Sequence, residues 1–316
     1  MAPADVQSAI AASGVARPLE LAMDGRSLVI LSPGWRGDAA AEIYRLDLDG
    51  PFPVDLSRRP AVRIPFSDPR ATTLGSLAIA PATRELFLGE ENGTRVWRLT
   101  GDEQLSLYAS GLHRLVGGAA MAFDGQGRLL LVDFADPTLS EAEQRPPAGL
   151  EQFRDEDYRG PLVFRVILDP TLPLPRRLAT APPLFPRAWG GRAGGAHLPR
   201  MISLAPRGDD ILLLSSSGDV HRLAPDGTLS LFARLPRGQY TRTHMLVAPD
   251  GTLFVSGGFQ VGSVYRVDAD GGAVTAVASH LADPQGIAVD GRGSLYVAES
   301  SFHRVLRITI PPPSRP

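Results

Sequence analysis

One four-residue phrase occurs six times in this 316-residue chain: a β-branched residue, a bulky residue, an arginine and an aliphatic residue. The copies are Ile43-Tyr44-Arg45-Leu46, Val96-Trp97-Arg98-Leu99, Val163-Phe164-Arg165-Val166, Val220-His221-Arg222-Leu223, Val264-Tyr265-Arg266-Val267 and Val305-Leu306-Arg307-Ile308. Their arginines stand 53, 67, 57, 44 and 41 residues apart. A period of about 40–50 residues is that of a four-stranded propeller blade.

A second phrase recurs beside the first. Turn residues lead into apolar runs in "DGRSLVIL" (24–31), "DGQGRLLLV" (124–132), "PDGTLFV" (249–255) and "DGRGSLYV" (290–297), with looser copies at 81–88 and 206–214. Continuous rather than alternating apolar runs suit strands covered on both faces, and the Gly/Asp turns suit tight antiparallel connections. Each unit therefore reads as strands a, b, c and d, with the arginine phrase as strand c. The last unit stops after its third strand, and "VQSAIAASGV" (6–15) resembles the fourth strands "QLSLYASGL", "TLSLFARL" and "AVTAVASHL". The expectation is an all-β, six-bladed propeller of four-stranded antiparallel blades. It forms one domain over 1–316, its ring closed by the N-terminal strand so that no sheet edge is left open there. The sixfold arginine is then a scaffold residue, pairing with carboxylates or laying its stem over a neighbouring blade.

Composition removes several chemistries. All 32 basic residues are arginine, cysteine is absent, and Asn92 is the only asparagine. Without lysine there is no Schiff base or phosphate-loop lysine; without cysteine there is no thiolate nucleophile, disulfide or Cys-ligated zinc. The bias fits a GC-rich genome or, more sharply, heat adaptation. A net charge of −2 without basic runs argues against nucleic acid and anionic membranes as partners. No run reaches the ~18 apolar residues of a membrane span. The N-terminus lacks a charged n-region and a long apolar h-region, so a cytoplasmic location is expected, and a monomer with it. "DLDG" (47–50) and "DADG" (268–271) are turns without the glutamate of a calcium loop, and "WGGRAGG" lacks a surrounding βαβ unit. Neither G-x-S-x-G nor H-E-x-x-H occurs.

Function belongs where the symmetry breaks. The two largest insertions, 134–161 and 181–200, fall by strand alternation on one face of the disc, where every strand a begins. Loops of this length in a compact repeat protein are typically functional. The glycines at 190–191 and 194–195 would let Trp189 and Arg192 move over the channel mouth. Around that mouth the sequence places Arg200, His197, Arg242, Thr243, His244, Gln285 and Glu299, with His113 nearby. Arginine beside histidine suits a small polar or anionic molecule, with imidazole available for proton transfer. His244, Glu299 and His197 are the catalytic candidates; Arg200, Arg242, Gln285, Trp189 and Thr243 are the substrate-binding candidates. His221, in a scaffold slot, reads as structural.

The "DG.G.LYVA" and "VYRVDADG" phrases resemble the six-bladed propellers of the SMP-30/gluconolactonase group and its NHL-repeat and strictosidine-synthase-like relatives. The resemblance covers nearly the whole chain and implies the architecture more strongly than the reaction. In its lactonase members a channel metal is held by Glu, Asn and Asp at strand starts; it polarises the lactone carbonyl and activates water. The matching positions here are Leu19, Gly75, Ala119, Arg200, Thr243 and Gln285, with Glu20, Ser76 and His244 one residue on. Calcium takes six to eight oxygens, several from carboxylates, a pattern this chain does not meet. The remaining metal candidates are Glu20, Glu90, Asp133 and Glu299, with Glu91 and Asp136 on the same face. The resemblance thus implies a hydrolase acting on a lactone or ester in the channel. Two alternatives stay open: a metal-free lyase or cyclase using His or Glu as acid/base, and an NHL-like binding module without chemistry.

Overall fold

The computed structural model describes residues 8–33, 40–64, 73–91, 93–112, 120–135, 160–178, 183–185 and 200–310. Their strands form six small sheets, mainly antiparallel. The innermost strands are Glu20–Asp24, Leu74–Ile79, Met121–Phe123, Met201–Arg207, Met245–Val247 and Pro284–Val289, each packed against the next, and the last against the first. The result is a closed six-bladed propeller. Among the described residues no helix is long and apolar enough to cross a membrane.

The apolar runs become strand b of each blade and are covered on both faces. Leu28, Val29, Ile30 and Leu31 in blade 1, and Leu129, Leu130, Leu131 and Val132 in blade 3, have no solvent exposure. Burying side chains of this kind stabilises a fold by roughly 1.5–3 kcal/mol each. Strand c carries the repeated arginine outward, to the a–b turns in blades 1, 3, 4 and 6 and to its own c–d turn in blade 5. Arg45 pairs with Asp24, Arg165 lies 3.7 Å from Asp124, Arg222 holds Asp210 at 2.7 Å and Arg266 lies 3.9 Å from Asp268. Arg307 donates to Ser294 at 3.0 Å and lies 5.7 Å from the ring centre of Phe52. Five of the six arginines thus make scaffold contacts, as their periodicity implies.

The ring closes through the N-terminus. Ser8–Ser13 pairs antiparallel with Arg304–Thr309, Ser8 opposite Ile308 and Ser13 opposite Arg304, and so supplies the fourth strand of blade 6. Blades 1 and 3 depart from the regular pattern. After strand c, Val54–Asp55 runs parallel to Ala12 and Ser13 of blade 6 before Val62–Arg63 returns to its own sheet. In blade 3, Arg176–Arg177 likewise runs parallel to Ala109 and Ser110 of blade 2, and Phe185 then bridges back to Val163. Both detours follow a cis proline, Pro53 and Pro175, and both bury a leucine, Leu56 and Leu178. The detours clip each of these blades to the one before it.

Most of the two long insertions lies outside the described residues. Their stems are placed: Ala135 pairs with Gly160, and Arg200 precedes Met201–Arg207, so both excursions leave the ring at the end where strands a begin.

Candidate active site

At that end of the channel the inner strands are irregular. Register shifts interrupt the first residues of strand a in blade 2, between Leu74 and Ser76, in blade 4, between Met201 and Ser203, and in blade 6, between Pro284 and Ile287. Bulges of this kind re-aim side chains beside a site. The blade 6 bulge turns the Gly286 N–H away from its own sheet and onto the Leu19 carbonyl of blade 1, at 2.7 Å. Blades 6 and 1 touch backbone to backbone there.

This close approach brings blades 1 and 5 together across blade 6. Glu20, the first residue of strand a in blade 1, is fully buried. Its Oε2 lies 2.6 Å from Nδ1 of His244, which precedes strand a of blade 5. The His244 backbone is fixed by Ser256 on the neighbouring strand: its N–H donates to the Ser256 hydroxyl at 2.8 Å, and its carbonyl accepts the Ser256 N–H at 2.9 Å. The ring lines a cavity of about 480 Å³ that follows the inner strands down to the a–b turns.

The electrostatics follow from burial. Desolvation raises the Glu20 pKa above its ordinary 4.5, and the charge and hydrogen bond of His244 pull it back. When Glu20 is ionised it accepts the Nδ1 proton, which leaves the Nε2 lone pair free to act as a base. When Glu20 is protonated it donates to Nδ1, and Nε2 carries the proton instead. Ionisation of Glu20, which burial holds to higher pH, therefore favours the tautomer that can act as a base. Glu20 Oε1, Thr243 Oγ1 and Gln285 Oε1 are buried acceptors without a protein donor among the described residues. Buried acceptors call for a donor, which a water molecule or a hydroxyl-bearing substrate would supply.

A stability measurement reads the same group. Glu20 has a folded-state pKa above its unfolded value, so its contribution is fully present below pH 4.5 and is lost as pH rises through the raised value. The carboxylates held low act oppositely and at lower pH: Asp49, hydrogen-bonded by Arg292, and Asp169, hydrogen-bonded by Thr171, both fall below 3.8. As pH rises above 4.5 the wild-type melting temperature should decline relative to Glu20→Gln. Parallel melting curves for the two proteins across this window would remove the raised pKa from the account.

Other residues of this rim have different partners. Arg242, in the left-handed region at φ 52°, sends its guanidinium across the ring to Glu91 of blade 2, with Nε–Oε1 2.8 Å and Nη2–Oε2 3.2 Å. Blades 5 and 2 are diametrically opposed, so this bidentate pair bridges the channel; an anionic substrate group would bind Arg242 by exchanging with Glu91. Arg200 lies 5.8 Å from the ring centre of Phe134. Glu299, a catalytic candidate in the sequence, has both oxygens engaged: Oε1 accepts the Ala282 N–H at 2.8 Å and Oε2 the Arg304 Nε–H at 2.5 Å. It braces the linker into blade 6 and is not poised for proton transfer. Glu90 is held by Trp97 at 2.9 Å and Arg95 at 2.7 Å, and Asp133 is fully buried in strand b of blade 3. His221 is half-buried on strand c, where desolvation lowers its pKa. His197, Trp189, Arg192, His113 and Asp136 lie outside the described residues.

The metal that the resemblance implies does not fit this donor set. Among the described residues no three His, Asp or Glu side chains converge. Of the carboxylates described at this rim, Glu20 has one oxygen occupied by imidazole and Glu91 is engaged by Arg242, leaving the neutral oxygens of Thr243 and Gln285. Calcium requires a fuller carboxylate shell.

Sequence reasoning found His244 and Glu20 separately and missed their pairing, as it missed Arg242 with Glu91. Ring closure was the available signal, because a closed wheel makes blades 1 and 5 joint neighbours of blade 6.

No protein-family model and no curated protein matches the chain. Solved structures do. A gluconolactonase from Xanthomonas campestris superposes with a TM-score of 0.62 at 16% identity, covering 97% of this chain and 90% of that one. A luciferin-regenerating enzyme gives 0.57 at 13%, covering 94% and 92%. A catalytically inactive histidine-to-alanine variant of virginiamycin B lyase from Staphylococcus aureus, crystallised with quinupristin, gives 0.51 at 12%, covering 97% and 99%. At these identities the likeness is one of fold, and that fold is the six-bladed propeller of gluconolactonase-like proteins.

Proposed function

We propose that this protein is a small-molecule enzyme that hydrolyses a lactone or ester in its channel by proton transfer at His244. The carrying observation is the 2.6 Å contact between His244 Nδ1 and the buried Glu20 carboxylate. Ionised Glu20 holds the imidazole in one tautomer and stabilises the imidazolium that forms. His244 Nε2 takes a proton from water as the water oxygen attacks the carbonyl carbon. The tetrahedral intermediate then breaks its C–O bond, and Nε2–H returns the proton to the leaving alkoxide. The buried acceptors Thr243 Oγ1 and Gln285 Oε1 would orient the attacking water or a substrate hydroxyl. Gluconolactonase activity on the same fold supports the substrate class.

A second reading keeps the dyad and changes the bond broken: His244 abstracts a carbon-bound proton and an alkoxide leaves by elimination. The histidine dependence of virginiamycin B lyase, another enzyme of this fold, favours it.

The test is turnover on a panel of p-nitrophenyl esters and γ- and δ-lactones, with and without EDTA. Hydrolysis should persist in chelator. Activity abolished by EDTA and restored by calcium would move the chemistry off the dyad. Elimination products without hydrolysis would select the second reading, and no turnover on any substrate class would leave a binding module.

A further inference from the structure

The cavity that ends at His244 has walls that proton transfer does not require. It is about 480 Å³, within the size range of small-molecule pockets, and Leu77, Met121, Phe123, Leu246, Val247 and Ile287 are among its lining residues. Phe123, Leu246 and Val247 are only half-buried, so apolar surface faces the cavity where a neighbouring side chain would otherwise cover it. The charged groups of the lining stand at the outer rim and are neutralised: Arg84 is paired with Asp24, and Asp124 with Arg128 at 2.7 Å. His244 is the one polar side chain at the inner end. A ligand here meets an imidazole at the inner end and hydrocarbon along the inner strands.

We propose that this chamber receives an unbranched acyl or alkyl tail, which places the carbonyl of an acyl ester or alkyl-substituted lactone at His244. The substrate class is then amphipathic, with a polar head among the buried acceptors of Glu20, Thr243 and Gln285 and an apolar tail along the inner strands. This assignment rests on the acid/base reading of His244. The tail gains by leaving water, and each buried methylene strengthens binding by roughly three- to fourfold.

Two measurements test it. The first is kcat/KM across p-nitrophenyl acetate, butyrate, hexanoate and octanoate, for wild type and for Ala122→Leu and Val247→Phe, either of which narrows the chamber. The wild-type values should rise by roughly threefold per methylene until the chamber is full. The octanoate-to-acetate ratio should fall about tenfold in whichever variant folds. A series flat with chain length, or a ratio unchanged in both folded variants, overturns the proposal.

The second needs no catalysis: saturation-transfer NMR with 1-octanol and 1-butanol on the intact protein. Octanol should bind more tightly than butanol and lose that advantage in the narrowed variants. Should no ester be cleaved while octanol still discriminates between wild type and variant, the chamber stands and the hydrolase reading falls. Octanol binding no tighter than butanol overturns the chamber itself.

Discussion

His244→Ala should lower turnover on the wild-type enzyme's best ester by roughly 10²–10⁴-fold, the usual contribution of a positioned acid/base group. KM should move little, because the imidazole acts on the proton of water and not on substrate affinity. The melting temperature should stay near that of the wild type: the ring is partly exposed, and its main-chain bonds to Ser256 survive truncation. Loss of the ring does leave Glu20 buried without its partner, a state in which the carboxylate protonates instead of remaining charged. The pH–rate profile is therefore diagnostic. In the wild type, kcat/KM should rise with pH as Glu20 ionises above its ordinary 4.5, since only ionised Glu20 leaves Nε2 unprotonated. In His244→Ala that limb should vanish along with the rate. Retention of more than about a tenth of wild-type kcat/KM, with the limb intact, would place the base elsewhere.

The architecture was legible because it is periodic, and the site less so because it is made by approach between blades. The arginine phrase marked every strand c, the apolar runs marked every strand b, and 6–15 matched the other fourth strands well enough to identify ring closure by Ser8–Ser13. The outer strands of blades 1 and 3 escaped notice for a physical reason. Their segments, "PFPVDLSRRPAVRI" and "LPLPRRLATAPPLFP", are proline-rich, and a residue without an N–H cannot sustain an ordinary ladder. The chain instead makes two-residue contacts with the preceding blade. Individual site residues could be named from strand starts, but their partners could not. Arg242, a substrate-binding candidate in the sequence, is bound to Glu91, 151 positions away. Glu299, a catalytic candidate in the sequence, has both oxygens taken by Ala282 and Arg304. Nothing local in "AESSFHR" announces that a main-chain N–H from the preceding linker will arrive at that oxygen.

Gly286→Ala carries a large expected cost in stability and tests whether the site depends on this approach between blades. A Cβ at 286 would stand 2.6 Å from the Leu21 nitrogen and 2.7 Å from both the Glu20 Cα and the Leu19 oxygen. All three obstacles are main chain, so no rotamer change relieves the clash; one strand must move. Overpacking of this kind costs about 3 kcal/mol, which in a chain of this size lowers Tm by roughly 4–5 °C. The displaced strand is the one that carries Glu20, and the bond at risk is Gly286 N–H to Leu19 O. Even a small separation of blades 6 and 1 draws Oε2 away from His244, so activity should fall in the molecules that still fold. The control is Gly291→Ala in the a–b turn of the same blade, where an added Cβ meets nothing within 4 Å; it should leave both Tm and turnover close to wild type. If Gly286→Ala behaves like Gly291→Ala, the main-chain contact between blades 6 and 1 is not what holds Glu20 against His244, and the dyad must be positioned by its own hydrogen bond alone.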